Sequence, residues 1–298
     1  MSSILTNNGA MVALQTLKSI NSSLNDTQSA ISTGKDINSA KDNASVWAIS
    51  KVMESDVAGY NAIEDSLSLG ESTVAVASTG AEQIVEKLKE IKEKVVSATG
   101  ENVDNDKISS EVDELKSQIQ SIIGASQFNG ANLLDSSTVT TGTSATNGIT
   151  VLSSLDRDNT GAVTASNITV ASADFTDKFT TTGVTVGTGT SAATYKLADI
   201  KVDTSSNAEG SLDAIEALID TATAEAAKLG ASSARITDQK DFISKLSDSV
   251  TSGIGSLVDA DMEETSARLQ ALQVQQQLGT QALSIANQAP QQLLSLFR

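Results

Sequence analysis

The feature that most constrains this chain is a run of apolar residues at helical spacing that continues for seven heptads. It begins at Ile49 and ends at Val95, its steps alternate between four and three residues, and only Asp56 and Gly70 depart from apolar character. Such a repeat predicts one helix, roughly 70–80 Å long, packed in a coiled-coil-like bundle. The chain contains a single proline, Pro290, so almost nothing in the sequence interrupts long helices.

A second apolar repeat of the same kind occupies the later part of the chain. A break at residues 100–106 follows the first helix, and a shorter helix is predicted near residues 107–127. The second repeat then runs from Leu212 to Leu257, and its phase slips beside Gly253 and Gly255. A one-residue slip next to two glycines indicates a boundary between packing units.

The two ends of the chain carry weaker apolar seams of similar length. The first runs from Asn7 to Ile31 and is followed by Gly34, a residue suited to the left-handed position that ends many helices. The other runs from Met262 to Ala286. Polar residues interrupt both seams.

Residues 136–206 differ in amino-acid composition from the segments on either side. Ser, Thr and Gly dominate, and alternating β-branched stretches at 168–170 and 184–186 predict short strands. The predicted fold is mainly α, with long paired N- and C-terminal helices that form a coiled-coil-like rod and a small β-rich insertion domain at its tip. The expected parts are an N-terminal helix (1–34), the two halves of a rod domain (35–135 and 207–254), a β-rich domain (136–206) and a C-terminal helix (255–298).

Composition and charge exclude several function classes. The chain has no His and no Cys, which removes the commonest metal ligand, thiolate nucleophiles and disulfides. A formal charge of −17 disfavours nucleic acid and anionic membranes as partners. No apolar run approaches the roughly 18 residues of a membrane span, and the N-terminal residues do not have the pattern of a cleavable signal peptide. We therefore expect a structural protein without catalytic residues, cofactor or metal.

Two short motifs are weaker alternatives to that interpretation. Residues 156–161, Asp-Arg-Asp-Asn-Thr-Gly, resemble the first half of a calcium loop, but Asn167 stands where the bidentate Glu belongs. Gly187-Thr-Gly189 suggests a nucleotide loop that lacks the third glycine and the Gly-Lys-Ser/Thr sequence. A turn between strands is the favoured interpretation of each, and an enzyme within the β-rich insertion stays the rival function class.

The functional prediction rests on the two seams at the ends of the chain. Two helices with Asn, Gln, Thr and Gly in the seam bury little apolar area when they pair only with each other, and further apolar residues lie off the seam. We therefore expect other copies of the chain to complete their burial. The predicted self-assembly residues are Leu5, Met11, Leu14, Leu17, Leu24, Ile31, Met262, Leu269, Leu272, Leu283, Ile285, Leu293, Leu296 and Phe297.

The same two ends resemble bacterial flagellin over residues 1–135 and 207–298. The motifs that carry the resemblance are Ser3-Ile-Leu-Thr-Asn7, Ala13-Leu-Gln-Thr-Leu17, Ser32-Thr-Gly34, Asp42-Asn-Ala-Ser45, Gln127-Phe-Asn-Gly-Ala-Asn-Leu-Leu134 and the final stretch from Ala282 to Arg298. The ending Leu296-Phe-Arg298 is similar to the alphaproteobacterial branch. Each motif alone is weak, and together they are specific.

The resemblance implies a subunit that is exported unfolded by the flagellar type III apparatus and that self-assembles into the extracellular flagellar filament for swimming. Its implied partners are other copies of itself or sister flagellins, the filament cap, hook-filament junction proteins and an export chaperone, with no nucleic acid and no membrane. The alternative within this resemblance is a hook-filament junction protein, which has flagellin-like ends and forms a thin ring.

Overall fold

The computed structural model describes residues 7–100, 102–135, 148–158, 160–186 and 193–296, with the side chains of 289–296 left aside. Five helices dominate it: α1 (Asn8–Thr33), α2 (Ala44–Ala98), α3 (Asn105–Ala125), α4 (Ser205–Val258) and α5 (Met262–Leu296). Four strands lie between α3 and α4: β1 (Gly148–Arg157), β2 (Val163–Ala171), β3 (Val184–Val186) and β4 (Ala193–Tyr195). The fold is therefore mainly helical with a small β region in the middle, which confirms the predicted fold class.

The chain divides into two compact units. Residues 1–58 and 248–298 form what we call the terminal unit, and residues 59–247 form the central unit. Both α2 and α4 contribute residues to each unit.

The heptad repeat of α2 forms the core of the central unit. Nine of its apolar positions, from Ile63 to Val95, are buried, and they share one core with Ile119 of α3 and Ile215 of α4. Ion pairs between partly exposed side chains lie around this core: Lys240 binds Glu71 at 2.9 Å, Lys94 binds Glu111 at 2.5 Å, and Lys92 pairs with Glu216. Apolar burial rather than these solvent-accessible ion pairs holds the helices together.

The β region packs on this helical core. The strands β1 and β2 form an antiparallel hairpin, and the register shifts between Leu152 and Ser154. The extra residue, Ser153, is buried, and its carbonyl accepts a 2.9 Å hydrogen bond from Nε2 of Gln239 in α4. The predicted strands at 168–170 and 184–186 are confirmed as parts of β2 and β3.

The candidate calcium loop is the turn of the β1–β2 hairpin. Oδ1 of Asp158 accepts hydrogen bonds from the backbone N–H groups of Thr160 and Ala162 and from the Thr160 hydroxyl. The Thr160 hydroxyl, followed by the backbone N–H of Ala162, holds the pKa of Asp158 below its usual value. The Asp158 carboxylate therefore stabilises the turn. The second motif, at residues 187–189, lies outside the described residues.

A helix break lies a few residues beyond Gly253 and Gly255, beside which the sequence predicts a boundary between packing units. α4 continues through both glycines and ends at Val258, and α5 begins at Met262. Oδ1 of Asp261 accepts hydrogen bonds from the backbone N–H groups of Glu263 and Glu264 at 2.9 and 3.2 Å, so this residue caps α5.

We predict that Gly70→Ala lowers the free energy of unfolding of the central unit by about 1–3 kcal/mol, because the new methyl group would overpack the core. A Cβ at position 70 would lie 2.5 Å from Cγ2 of Val151 in β1, and both residues are buried. Urea unfolding followed by circular dichroism measures the change.

Gly230→Ala is the matched control for this prediction. Gly230 is exposed in α4, and a Cβ at this position would meet no atom of a neighbouring element within 4 Å. Alanine should therefore stabilise the helix by up to about 1 kcal/mol. Equal effects of the two substitutions would contradict the close approach of β1 to α2.

Candidate self-assembly surface

Within the terminal unit, α1 and α5 pair as antiparallel helices. Nδ2 of Asn7 donates to the carbonyl of Ala286 at 2.8 Å, and Nε2 of Gln276 donates to Oδ1 of Asn21 at 2.7 Å. Hydrogen bonds from polar side chains within the seam fix the register of the two helices. A Cβ at Gly279 would lie 3.2 Å from Cδ1 of Leu17, so glycine allows the two helices to approach closely.

Backbone hydrogen bonds join the two chain segments where the pair ends. Gly34 caps α1 in the left-handed conformation with φ 72°, as its position after the seam predicts. The N–H of Ala260 donates to the Gly34 carbonyl at 3.0 Å, and the N–H of Asp36 donates to the Val258 carbonyl at 2.8 Å. These bonds fix the start of α5 beside the end of α1.

Charged side chains order the turn that leads from α1 into α2. Oδ2 of Asp42 accepts hydrogen bonds from the backbone N–H groups of Ser39 and Asn38, and the Ser39 bond is the main cause that lowers the pKa of Asp42. The pKa of Glu54 is also lowered, chiefly by its hydrogen bond from Lys51 and further by Lys35 across the turn. Both carboxylates are therefore ionised at neutral pH, and protonation below their folded pKa values would weaken this turn.

The predicted self-assembly residues fall into three groups. Met11, Leu14, Met262 and Ile285 are exposed, and Ile285 is the most exposed of them at 68%. Residues of the second group are buried or partly buried, as expected for the seam between α1 and α5: Leu17, Leu24, Ile31, Leu269, Leu272 and Leu283. Leu5 and Phe297 lie outside the described residues, as do the side chains of Leu293 and Leu296.

Six further apolar residues on the terminal unit are exposed without having been predicted as self-assembly residues: Val12, Ile49, Val52, Leu257, Val274 and Leu278. Val274, Leu278 and Ile285 lie within about 40° of one another around α5, on the face opposite the seam that meets α1. The spacing of four and seven residues was the signal that could have revealed this face.

Exposed apolar side chains are concentrated in the terminal unit. It holds ten of the fifteen large apolar side chains that are exposed within the described ranges, although it is the smaller unit. A concentration of exposed apolar side chains on one part of a protein is typical of an interaction site rather than of a free surface. The arrangement is suited to binding apolar helices of another molecule.

The described residues were also compared with the requirements of a metal site and of a membrane-spanning helix. Across those ranges, no three Asp or Glu side chains lie close enough together to bind a metal ion. No helix in the described part of the chain is long and apolar enough to cross a bilayer.

Both ends of the chain match models of one protein family. The bacterial flagellin N-terminal helical region matches residues 4–139, and the bacterial flagellin C-terminal helical region matches residues 212–297. The chain belongs to the bacterial flagellin family. A flagellin of Brucella melitensis is 42% identical over 301 residues, with all of both chains covered.

Further flagellins match over similar extents. Flagellin A of Rhizobium meliloti is 37% identical over 398 residues, again with both chains fully covered. Flagellin FljK of Caulobacter vibrioides is 38% identical over 301 residues, covering 100% of this chain and 99% of its own. Among solved structures, a Bacillus cereus flagellin aligns with 61% of this chain and 88% of its own, at 18% identity and a TM-score of 0.43.

These matches confirm the predicted resemblance, including its alphaproteobacterial character. Flagellins form the extracellular flagellar filament, and full-length matches to named flagellins identify this chain as a filament subunit. Nothing in the comparisons favours a hook-filament junction protein.

Proposed function

We propose that this flagellin polymerises through the apolar surface of its terminal unit and has a structural role without catalysis. The observation that carries the proposal is the exposed face of α5 formed by Val274, Leu278 and Ile285, which points away from the α1 seam. Covering these side chains would remove apolar surface from water at about 25 cal/mol per Å². The fourteen predicted self-assembly residues stay part of this proposal.

The proposal divides the chain by role. Residues 1–34 and 255–298 would form the filament core, residues 35–135 and 207–254 a rod domain, and residues 136–206 a surface domain. The partners would be copies of the chain or sister flagellins, the filament cap, hook-filament junction proteins and an export chaperone. Export through the flagellar type III apparatus would precede assembly outside the cell, with no nucleic acid or membrane as partner.

Seeded growth tests this function. Purified chain should elongate sheared filament fragments without a length limit, and electron microscopy measures the growth. A chain lacking residues 262–298 should not elongate the seeds, because its α1 seam has lost the helix that contacts it and the exposed face of α5 is gone.

Circular dichroism of the truncated chain provides the control, because the central unit, residues 59–247, should remain helical. Growth of the truncated chain would contradict the proposal, and so would a full chain that stops at a thin ring on each seed.

A further inference from the structure

Methionine provides the only sulfur atoms in this chain. The sequence has no Cys and four Met, at positions 1, 11, 53 and 262. Peroxides oxidise the methionine thioether to a sulfoxide, which turns a flexible apolar side chain into a polar one. Because the chain has no thiol that could react first, an oxidant that attacks sulfur acts on these methionines alone.

Two of the three methionines that the structure describes are exposed on the terminal unit. Met11 in α1 is 59% exposed, and Met262, the first residue of α5, is 45% exposed. Both are among the predicted self-assembly residues. Met53 differs because it is partly buried, and its Cε lies 3.4 Å from the position that a Cβ would take at Gly253. Met1 lies outside the described residues.

The surroundings of Met11 are apolar and exposed as well. Val12 is its neighbour in sequence, Leu14 lies one helical turn further along α1, and both are exposed. Methionine at such a position adds adaptable apolar area to an interaction surface. Its oxidation would place a strongly polar S–O group among apolar side chains.

The free chain and the filament would respond differently to that polar group. In the free chain, the sulfoxides of Met11 and Met262 would stay hydrated, because both side chains are exposed. In a filament that buries these side chains, each sulfoxide would lose its hydration without a hydrogen-bond donor to replace it, which is unfavourable. Oxidation would therefore weaken assembly much more than it weakens the fold of the subunit.

We propose that Met11 and Met262 are oxidation sites through which peroxide blocks the addition of a free subunit to the filament. With hydrogen peroxide, the sulfur atom of each side chain is oxidised by two electrons and takes up one oxygen atom. The O–O bond of the peroxide breaks, an S–O bond forms, and water is released. This inference rests on the proposed self-assembly and adds a chemical modification that controls it.

Peroxide treatment of the free full-length chain tests the inference. The chain is exposed to hydrogen peroxide, the oxidant is removed, and peptide mass spectrometry measures the sulfoxide at each methionine. The treated chain should elongate filament seeds at least about tenfold more slowly than the untreated chain. Methionine sulfoxide reductases A and B, supplied with dithiothreitol, should return the rate to within about threefold of the untreated value.

Substitution by leucine identifies the methionines that are responsible. Met11→Leu with Met262→Leu removes both sulfur atoms and keeps the apolar character and the approximate volume of each side chain. After peroxide treatment this variant should grow at a rate within about threefold of its own untreated rate. Met53→Leu is the matched control, and it should remain as sensitive to peroxide as the unaltered chain.

The filament itself provides a second measurement. Met11 and Met262 should be oxidised at least about tenfold more slowly in assembled filaments than in the free chain, because contacts between subunits would exclude the oxidant. Peptide mass spectrometry at successive times gives both rates. Equal rates in the two states would contradict the burial of these side chains by assembly.

Three further results would overturn the inference. They are a leucine double variant that peroxide still blocks, a treated chain that carries both sulfoxides and grows normally, and a treated chain whose urea unfolding shows that its fold is lost. The proposed self-assembly is tested separately by the untreated chain. If the untreated chain does not elongate seeds, the proposed self-assembly fails, whereas growth that is insensitive to peroxide contradicts the oxidation sites alone.

Discussion

Replacing Leu278 and Ile285 together by Asp is expected to abolish filament growth while the free chain keeps its fold. Both side chains are exposed on α5, at 58% and 68%, so neither contributes much to the stability of the isolated chain. In a filament that buries this face, two carboxylates would lose their hydration without a partner, and each such burial costs several kcal/mol. Seeded elongation measures the loss, and urea unfolding measures the unchanged stability.

The control variant carries the same added charge on the same helix. Gln277→Asp with Ser284→Asp adds the same two negative charges at exposed positions beside Leu278 and Ile285. If filament growth responds only to net charge, both pairs of substitutions slow it equally. A control variant that grows while the Leu278 and Ile285 variant does not would assign the effect to the apolar face.

The sequence correctly predicted the burial of the α2 heptad repeat over only part of its length. From Ile63 to Val95 the repeat is buried as its spacing predicts. Ile49 begins the same repeat and is 51% exposed, and its neighbour Val52 is 46% exposed. Periodicity shows which face of a helix is apolar and gives no information on which neighbour covers it. These two residues therefore extend the candidate assembly surface beyond the sequence prediction.

The break between α4 and α5 shows a second limit of sequence reasoning. Gly253 and Gly255 mark the phase slip but do not end α4, because glycine costs a helix only about 1 kcal/mol and a long packed helix tolerates that cost. A Cβ at Gly253 would lie 3.4 Å from Cε of Met53, so the helices are in close contact there. The better signal was Asp261 followed by Glu263 and Glu264, an acidic cap at the start of a helix.

The sequence predicted strands and turns for the middle region. It did not predict how the aromatic residues of this region pack. Phe175 and Phe179 are both fully buried, with ring centroids 5.0 Å apart. Phe179 lies in a π-helical turn, Asp177–Thr181, which no simple periodicity predicts. The N–H of Phe175 donates to the Leu134 carbonyl at 2.8 Å, and Phe175 and Phe179 share one core with α2, α3 and α4. The segment around them is therefore joined to the helices.

Phe179→Ala is consequently expected to destabilise the whole central unit by about 3–5 kcal/mol, because it removes a fully buried ring and leaves a cavity. Urea unfolding followed by far-UV circular dichroism should show a single helical transition at lower denaturant concentration. Val163→Ala is the control, because Val163 is 51% exposed on β2 and should change the stability by less than about 0.5 kcal/mol. If residues 136–206 instead form an independent domain, Phe179→Ala would leave the helical transition in place. A shifted single transition would mean that this flagellin uses its middle region as part of its helical core, so that changes to this region also affect the helices that carry the assembly surfaces.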